Sequence, residues 1–220
     1  SQHGGGGTPE LCSNFFGSGN YNDMTRRVLR RGLAVFAPQL LLWQAEFGPV
    51  IDRRQIDAQL KQLGGSITAL ELFGLQRCLD GLVVREDIDG TRIGMIGLSY
   101  GGFYTLFAAA VEPRIRAAVS SCFLNDRGKY AWPDWTWLNA ANIFFDAEIG
   151  GLVCPRALYV EVGAKDEIFT VGSAGPVART LAGYYERLGL AERFRYKEFE
   201  GMHELDKADE SIDFLETHVR

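Results

Sequence analysis

Two glycines bracket a serine in Gly97-Leu98-Ser99-Tyr100-Gly101. The short apolar run Thr91-Arg92-Ile93-Gly94-Met95-Ile96-Gly97-Leu98 precedes the serine, and a stretch rich in Ala and aromatics follows it to Val111. A chain that passes from strand to helix within about one turn holds the intervening residue in strained backbone geometry. Side chains two residues to either side would clash with neighbouring elements, which accounts for the glycines. Such a turn lifts the Ser99 hydroxyl above a sheet edge and aims the first N–H groups of the helix at any negative charge developing there. The chemistry this suits is nucleophilic attack on an acyl carbon through a covalent intermediate. A Gly/Ser turn ahead of a packed helix is the plain alternative.

A serine hydroxyl is a poor nucleophile until a base removes its proton. The chain has three histidines, His3, His203 and His218. His203 lies in Glu200-Gly201-Met202-His203-Glu204, just after the last strand candidate, so it falls on a loop at a C-terminal sheet edge, where the sites of open α/β sheets lie. His218 falls on a terminal helix, and His3 precedes the serine, against the order nucleophile, acid, base. The acid that would fix the histidine tautomer is Asp166, in Gly163-Ala164-Lys165-Asp166-Glu167 after the fourth strand candidate. Glu161 and Asp126 remain alternatives; Glu167, adjacent to Asp166, would point elsewhere. A turn or helix-capping role would also suit Asp166. The run His3-Gly4-Gly5-Gly6-Gly7 reads either as a flexible linker or as a loop that lends a backbone N–H to an oxyanion hole, from Gly4 or Gly5, with the Tyr100 N–H as second donor.

The elements that would position these residues follow from periodicity. Residues 20–31 read as a short helix stopped by Gly32. Residues 33–37, closed by Pro38, read as a buried parallel strand. Apolar residues at Ile56, Leu60, Leu63, Ile67, Leu70 and Phe73 mark one helix face over 52–81, with Gly64-Gly65 able to bend or interrupt it. Strands are expected at 91–98, 115–123, 157–162 and 193–199, and helices at 102–111, 176–189 and 209–219. Residues 126–150 are irregular and aromatic-rich. Alternation of strand and helix means a parallel sheet covered on both faces.

Composition narrows the classes. With 220 residues, 46% apolar and 23% charged, the chain fits one packed domain. A net charge of -5 argues against a nucleic-acid partner, which wants a basic face. No apolar run approaches the ~20 residues of a membrane span. Cys12, Cys78, Cys122 and Cys154 form no CxxC pair, so no metal site is expected and they read as mostly buried small hydrophobes. The first residues lack an initiator Met and a signal-peptide pattern, which leaves localisation barely constrained, with the cytoplasm as default.

Taken together, the sequence resembles the α/β-hydrolase superfamily, and most of all its dienelactone hydrolase-like and acetyl xylan esterase-like branches. The matching pieces are HGGGG at 3–7, residues 31–38, Gly97 to Gly102, residues 154–158, Gly163 to Asp166 and Gly201 to Glu204. The resemblance implies a three-layer α/β/α fold with a mostly parallel sheet and a serine ester hydrolase with Ser99, Asp166 and His203 as triad. It implies no cofactor and no metal. Dienelactone hydrolases proper carry a cysteine nucleophile, so Ser99 favours an ordinary serine esterase. The family's sheet has eight strands, and its oxyanion loop follows the third, which lies between the fourth and fifth. Here that loop starts at residue 3, so an N-terminally truncated sheet of about five strands is expected, in a single domain over 1–220.

Residues 126–150 fall where the superfamily inserts caps. Trp132, Trp135 and Trp137 would stack on sugar rings or wall an acyl pocket, or else pack as a satellite cluster. The expected substrate is a small-molecule or carbohydrate ester, with sugar-ester deacetylation as one case. A serine peptidase of the same fold, an enzyme cleaving other bonds with the same triad, and a non-catalytic binding module remain open. Oligomeric state is not legible.

Overall fold

A computed structural model describes residues 1–15, 17, 19–41, 52–129, 132–136 and 139–220. Four strands, β1 (Ile93–Leu98), β2 (Ile115–Ser121), β3 (Ala157–Gly163) and β4 (Phe194–Phe199), pair in the order β1-β2-β3-β4. All three pairings are parallel, with Gly97 opposite Ser120 and Glu161 opposite Lys197. The helices are α1 (Pro9–Cys12), α2 (Met24–Arg30), α3 (Arg53–Gln62), α4 (Ile67–Val83), α5 (Tyr100–Val111), α6 (Ala140–Ile143), α7 (Asp146–Gly151), α8 (Val171–Arg187) and α9 (Glu210–Val219).

Strand side chains alternate between two buried faces, as a period of two requires. Ala118, Leu158, Val160 and Val162 join Phe103, Leu106, Leu181 and Tyr185 in a core beneath α5 and α8. Ala117, Val119, Ala157 and Tyr159 join Met24, Val28, Ile212 and Leu215 in a second core beneath α2 and α9. This is a three-layer α/β/α arrangement, and it explains why β2 and β3 read as continuous apolar runs.

The expected helix over 52–81 is two helices. Leu63 ends α3, Gly64 turns the chain at φ +81°, and the Ser66 side chain caps α4 by accepting from the Ala69 N–H. Helix α8 begins at Val171, five residues before Pro176, the point where the sequence suggested a start. The expected strand at 33–37 is not part of the ladder, so the sheet has four strands among the described residues. A groove of about 880 Å³ is lined jointly by Leu33, Val35 and Phe36 and by Ile93, Met95 and Ile96 of β1. At its end Gln2 pairs with Gly97 in a single parallel bridge, and the Gln2 N–H donates to the Ile96 carbonyl at 2.8 Å. The 33–40 segment instead meets the first residues: the Ser1 ammonium donates to the Phe36 carbonyl at 2.8 Å, and the Gln2 side-chain amide to that of Pro38 at 3.4 Å.

All four cysteines are free thiols, with Cys12 and Cys122 buried and Cys78 and Cys154 half-buried. Among the described residues no helix is long and apolar enough to cross a membrane.

Candidate active site

Ser99 sits between β1 and α5 with φ 60° and ψ -118°, a left-handed conformation costly for any residue with a Cβ. Its backbone is held from both sides: its N–H donates to the Ser121 carbonyl, and its carbonyl accepts from the Phe103 N–H, both at 2.9 Å. The flanking glycines are required by close approach. A Cβ on Gly97 would lie 2.3 Å from the Gly101 carbonyl oxygen, and one on Gly101 would lie 2.0 Å from that of Gln2. The second contact presses the His3–Gly7 loop against the turn that carries the serine.

That loop is anchored through two side chains. His3, almost wholly buried, accepts from the Leu40 N–H at Nε2 (2.8 Å), so its proton resides on Nδ1 and is donated to the Gly4 carbonyl (2.8 Å). Burial holds the His3 pKa below the usual histidine value, consistent with this neutral tautomer. Tyr21 accepts from the Gly4 N–H at 2.8 Å, and its hydroxyl fills the space a Cβ on Gly7 would need. The Gly4 N–H is therefore committed, whereas the Gly5 N–H has no partner among the described residues. Tyr100 is the first residue of α5, where a helical N–H has no intrahelical acceptor.

Asp166 and His203 meet. His203 Nδ1 and Asp166 Oδ2 are 2.8 Å apart, while Asp166 Oδ1 accepts from the N–H groups of Ile168 (2.8 Å) and Phe169 (3.0 Å). Burial pushes the Asp166 pKa up, but the bonds from His203 and these two amides outweigh it, and the net shift is downward. An ionised Asp166 makes Nδ1 the protonated nitrogen and leaves Nε2 as the basic one. The Phe169 ring stacks on the imidazole with centroids 5.7 Å apart. The loop carrying His203 is tied to the chain's beginning: Asn20 donates to the His203 carbonyl, the Leu205 N–H donates to the Asn20 carbonyl, and Asn22 donates to Glu204 and Leu205. Ser99, Asp166 and His203 thus all lie at the C-terminal edge of the sheet, following β1, β3 and β4. Among the described residues no hydrogen bond joins Ser99 Oγ to the imidazole.

The expected aromatic residues divide. Trp135 is fully buried, stacked on Phe103 at 5.1 Å and packed against Tyr100 at 4.1 Å, so its ring fills the core and presents no face to a ligand. Trp132 is half-buried and lies edge-on to Phe169, the ring that covers His203. Trp137 lies outside the described residues. His218, half-buried on α9, packs on Phe214.

One network was not foreseen. The Arg53 guanidinium pairs with both Glu71 oxygens (2.7 and 2.6 Å) and with Asp134 (3.1 Å), and Tyr100 donates to the same Asp134 oxygen at 2.8 Å. All three charged groups are buried, and together they join α3, α4 and the 133–135 turn to Tyr100, the residue after Ser99. Arg53 carried no signal because its partners are remote in sequence.

Among the described residues Cys122, Asp166 and His203 form the one group of metal-ligating side chains whose donor atoms lie within 4.8 Å of one another. Each is already engaged, Asp166 with His203 and the Cys122 thiol with the Glu204 carbonyl at 3.2 Å, so a cation there would compete with the Asp166–His203 bond.

Comparison with known proteins adds the lineage. The model of the dienelactone hydrolase family matches residues 11–122, just over half the chain. YtaP of Bacillus subtilis (strain 168) is 25% identical over 153 residues, 64% of this chain and 50% of that protein. The 4-O-methyl-glucuronoyl methylesterase of Podospora anserina is 29% identical over 174 residues, 62% of this chain and 35% of that protein. A Bacteroides fragilis structure provisionally classed as an acetyl xylan esterase superposes with a TM-score of 0.67 at 15% identity, covering 94% of this chain and 62% of that one, which shows a shared fold. The chain therefore spans half the length of the first curated relative and about a third of the second.

Proposed function

Because the chain belongs to the dienelactone hydrolase family of α/β-hydrolases, we propose that it hydrolyses carboxylic esters through a serine acyl-enzyme. The observation that carries this reading is the placement of a strained Ser99 at one sheet edge with a bonded Asp166–His203 pair. Ser99 Oγ attacks the ester carbonyl carbon while His203 Nε2 takes the hydroxyl proton. The tetrahedral intermediate collapses, and the imidazolium returns the proton to the departing alkoxide. Water then enters by the same general-base step and releases the acid. Asp166 holds the imidazole in the tautomer with Nε2 free. The oxyanion is received by the Tyr100 N–H and by an N–H of the glycine loop, for which Gly5 is the better suited of the two expected donors because Gly4 serves Tyr21.

The substrate class we assign is a carbohydrate ester. Support comes from the Podospora anserina relative, which is named for a glucuronoyl methyl ester, and from the half-buried Trp132 next to Phe169. A panel of p-nitrophenyl acetate, acetylated xylan and a methyl glucuronate ester tests both levels. Hydrolysis of any ester that vanishes in Ser99→Ala supports the reaction. Equal rates in Ser99→Ala would contradict it, and no preference for either sugar ester would remove the substrate assignment.

A further inference from the structure

Glu161 is a carboxyl group buried within the sheet, with no exposed surface, five residues ahead of the acid that holds His203. Its Oε1 accepts two hydrogen bonds, from Ser121 Oγ at the end of β2 (2.9 Å) and from the Asp206 N–H on the His203 loop (3.0 Å). Its own carbonyl accepts from the Cys122 N–H at 2.8 Å, and the Cys122 thiol in turn donates to the Glu204 carbonyl at 3.2 Å. One side chain thereby ties the C-terminal ends of β2 and β3 to the loop on which the histidine rides, three residues from it.

We propose that Glu161 is a positioning residue for His203, acting as a neutral carboxylic acid that fixes the far end of the histidine loop through the Asp206 N–H. The proposal rests on His203 being the catalytic base. Neutrality follows from the surroundings of the carboxyl. It is wholly buried, and among the described residues no cation pairs with it, while its Oε2 faces the Ser211 hydroxyl, a group that can donate or accept. An ionised carboxylate there would be a buried charge without a counter-ion, which is unfavourable. A protonated Oε2 is instead a donor, and the Ser211 hydroxyl is available to accept. Burial, with the nearby Asp206 carboxylate, holds the Glu161 pKa above the ordinary glutamate value. The loop is also held by Asn20 and Asn22, and Asp206 by Arg27 and Lys197, so the Asp206 N–H bond to Glu161 supplies its tie to β3.

Three variants test this: Glu161→Gln, Glu161→Met and, as control, Ser99→Ala, each read by ester kinetics and thermal unfolding. Gln keeps the accepting Oε1 and offers an N–H where the acid offers O–H. The expected result is wild-type kcat and KM within about threefold for Glu161→Gln, and a kcat at least tenfold lower with unchanged KM for Glu161→Met. Loss of kcat in Glu161→Gln would overturn the proposal, because it would mean an ionised carboxylate is needed. Full activity in Glu161→Met would overturn it too, since His203 would then not need the Glu161 tie. If Glu161→Met does not fold, Glu161→Gln still decides between the neutral and the ionised group. Persistence of activity in Ser99→Ala would signal failure of the hydrolase reading itself, independently of Glu161.

Discussion

Asp166 holds His203 from one side only: Oδ2 meets the imidazole at 2.8 Å, while Oδ1 is saturated by the N–H groups of Ile168 and Phe169. The carboxylate is thus fixed by its own turn before it orients anything else. Replacing Asp166 by Asn should keep the turn's geometry through its side-chain oxygen and lose the tautomer control. The expected result is a kcat lower by about 10⁴ with little change in KM, the scale found when a triad aspartate is amidated. Steady-state kinetics on p-nitrophenyl acetate check it.

The same aspartate makes stability pH-dependent in a defined direction. Its folded-state pKa lies below its unfolded value, so its contribution is fully present above the ordinary aspartate pKa of about 4 and is lost as pH falls through the folded value. The stability gap between the native chain and Asp166→Asn should narrow at progressively lower pH below about 4. Urea unfolding across that range measures it.

Much of this arrangement was legible in residue order. Gly97-Leu98-Ser99-Tyr100-Gly101, Asp166 and His203 stand out as candidates because each sits in a short local pattern at the end of an apolar run, and the structure puts all three at one sheet edge. The break at Gly64-Gly65 was foreseen as an option, and the structure makes it a full stop between α3 and α4. What was not legible is what holds the parts together. Arg53 and Asp134, Tyr21 and Gly4, and Glu161 and Asp206 are separated by 81, 17 and 45 residues, and no periodicity reports such pairs. The strand expected at 33–37 has the right composition, yet a strand needs a neighbour, and pairing is a tertiary property.

Gly101 offers a test of the loop contact. Its Cβ position lies 2.0 Å from the Gln2 carbonyl oxygen, a rigid backbone atom. Gly101→Ala must push the His3–Gly7 loop away from the serine turn. A stability loss of about 1–3 kcal/mol is expected, the range typical of overpacking. Activity should fall further than stability explains if, as proposed, the loop carries the oxyanion donor. Denaturant melts paired with kinetics on the folded fraction separate the two effects.

Arg53 tests the buried network. Arg53→Met would leave Glu71 and Asp134 buried without their shared cation. The expected destabilisation is about 3–5 kcal/mol, as for other buried pairs broken on one side. Restoring stability by a further Glu71→Leu replacement would confirm that the cost lies in the stranded carboxylates.

The proposed role of Ser99, a nucleophile activated at this sheet edge, is open to direct chemical trapping. A fluorophosphonate probe reacts covalently with an activated serine, and peptide mass mapping locates the adduct. A single adduct on Ser99 is expected, formed slowly in His203→Ala and absent in Ser99→Ala. Folded protein that leaves Ser99 unlabelled, or that labels equally well without His203, would contradict it.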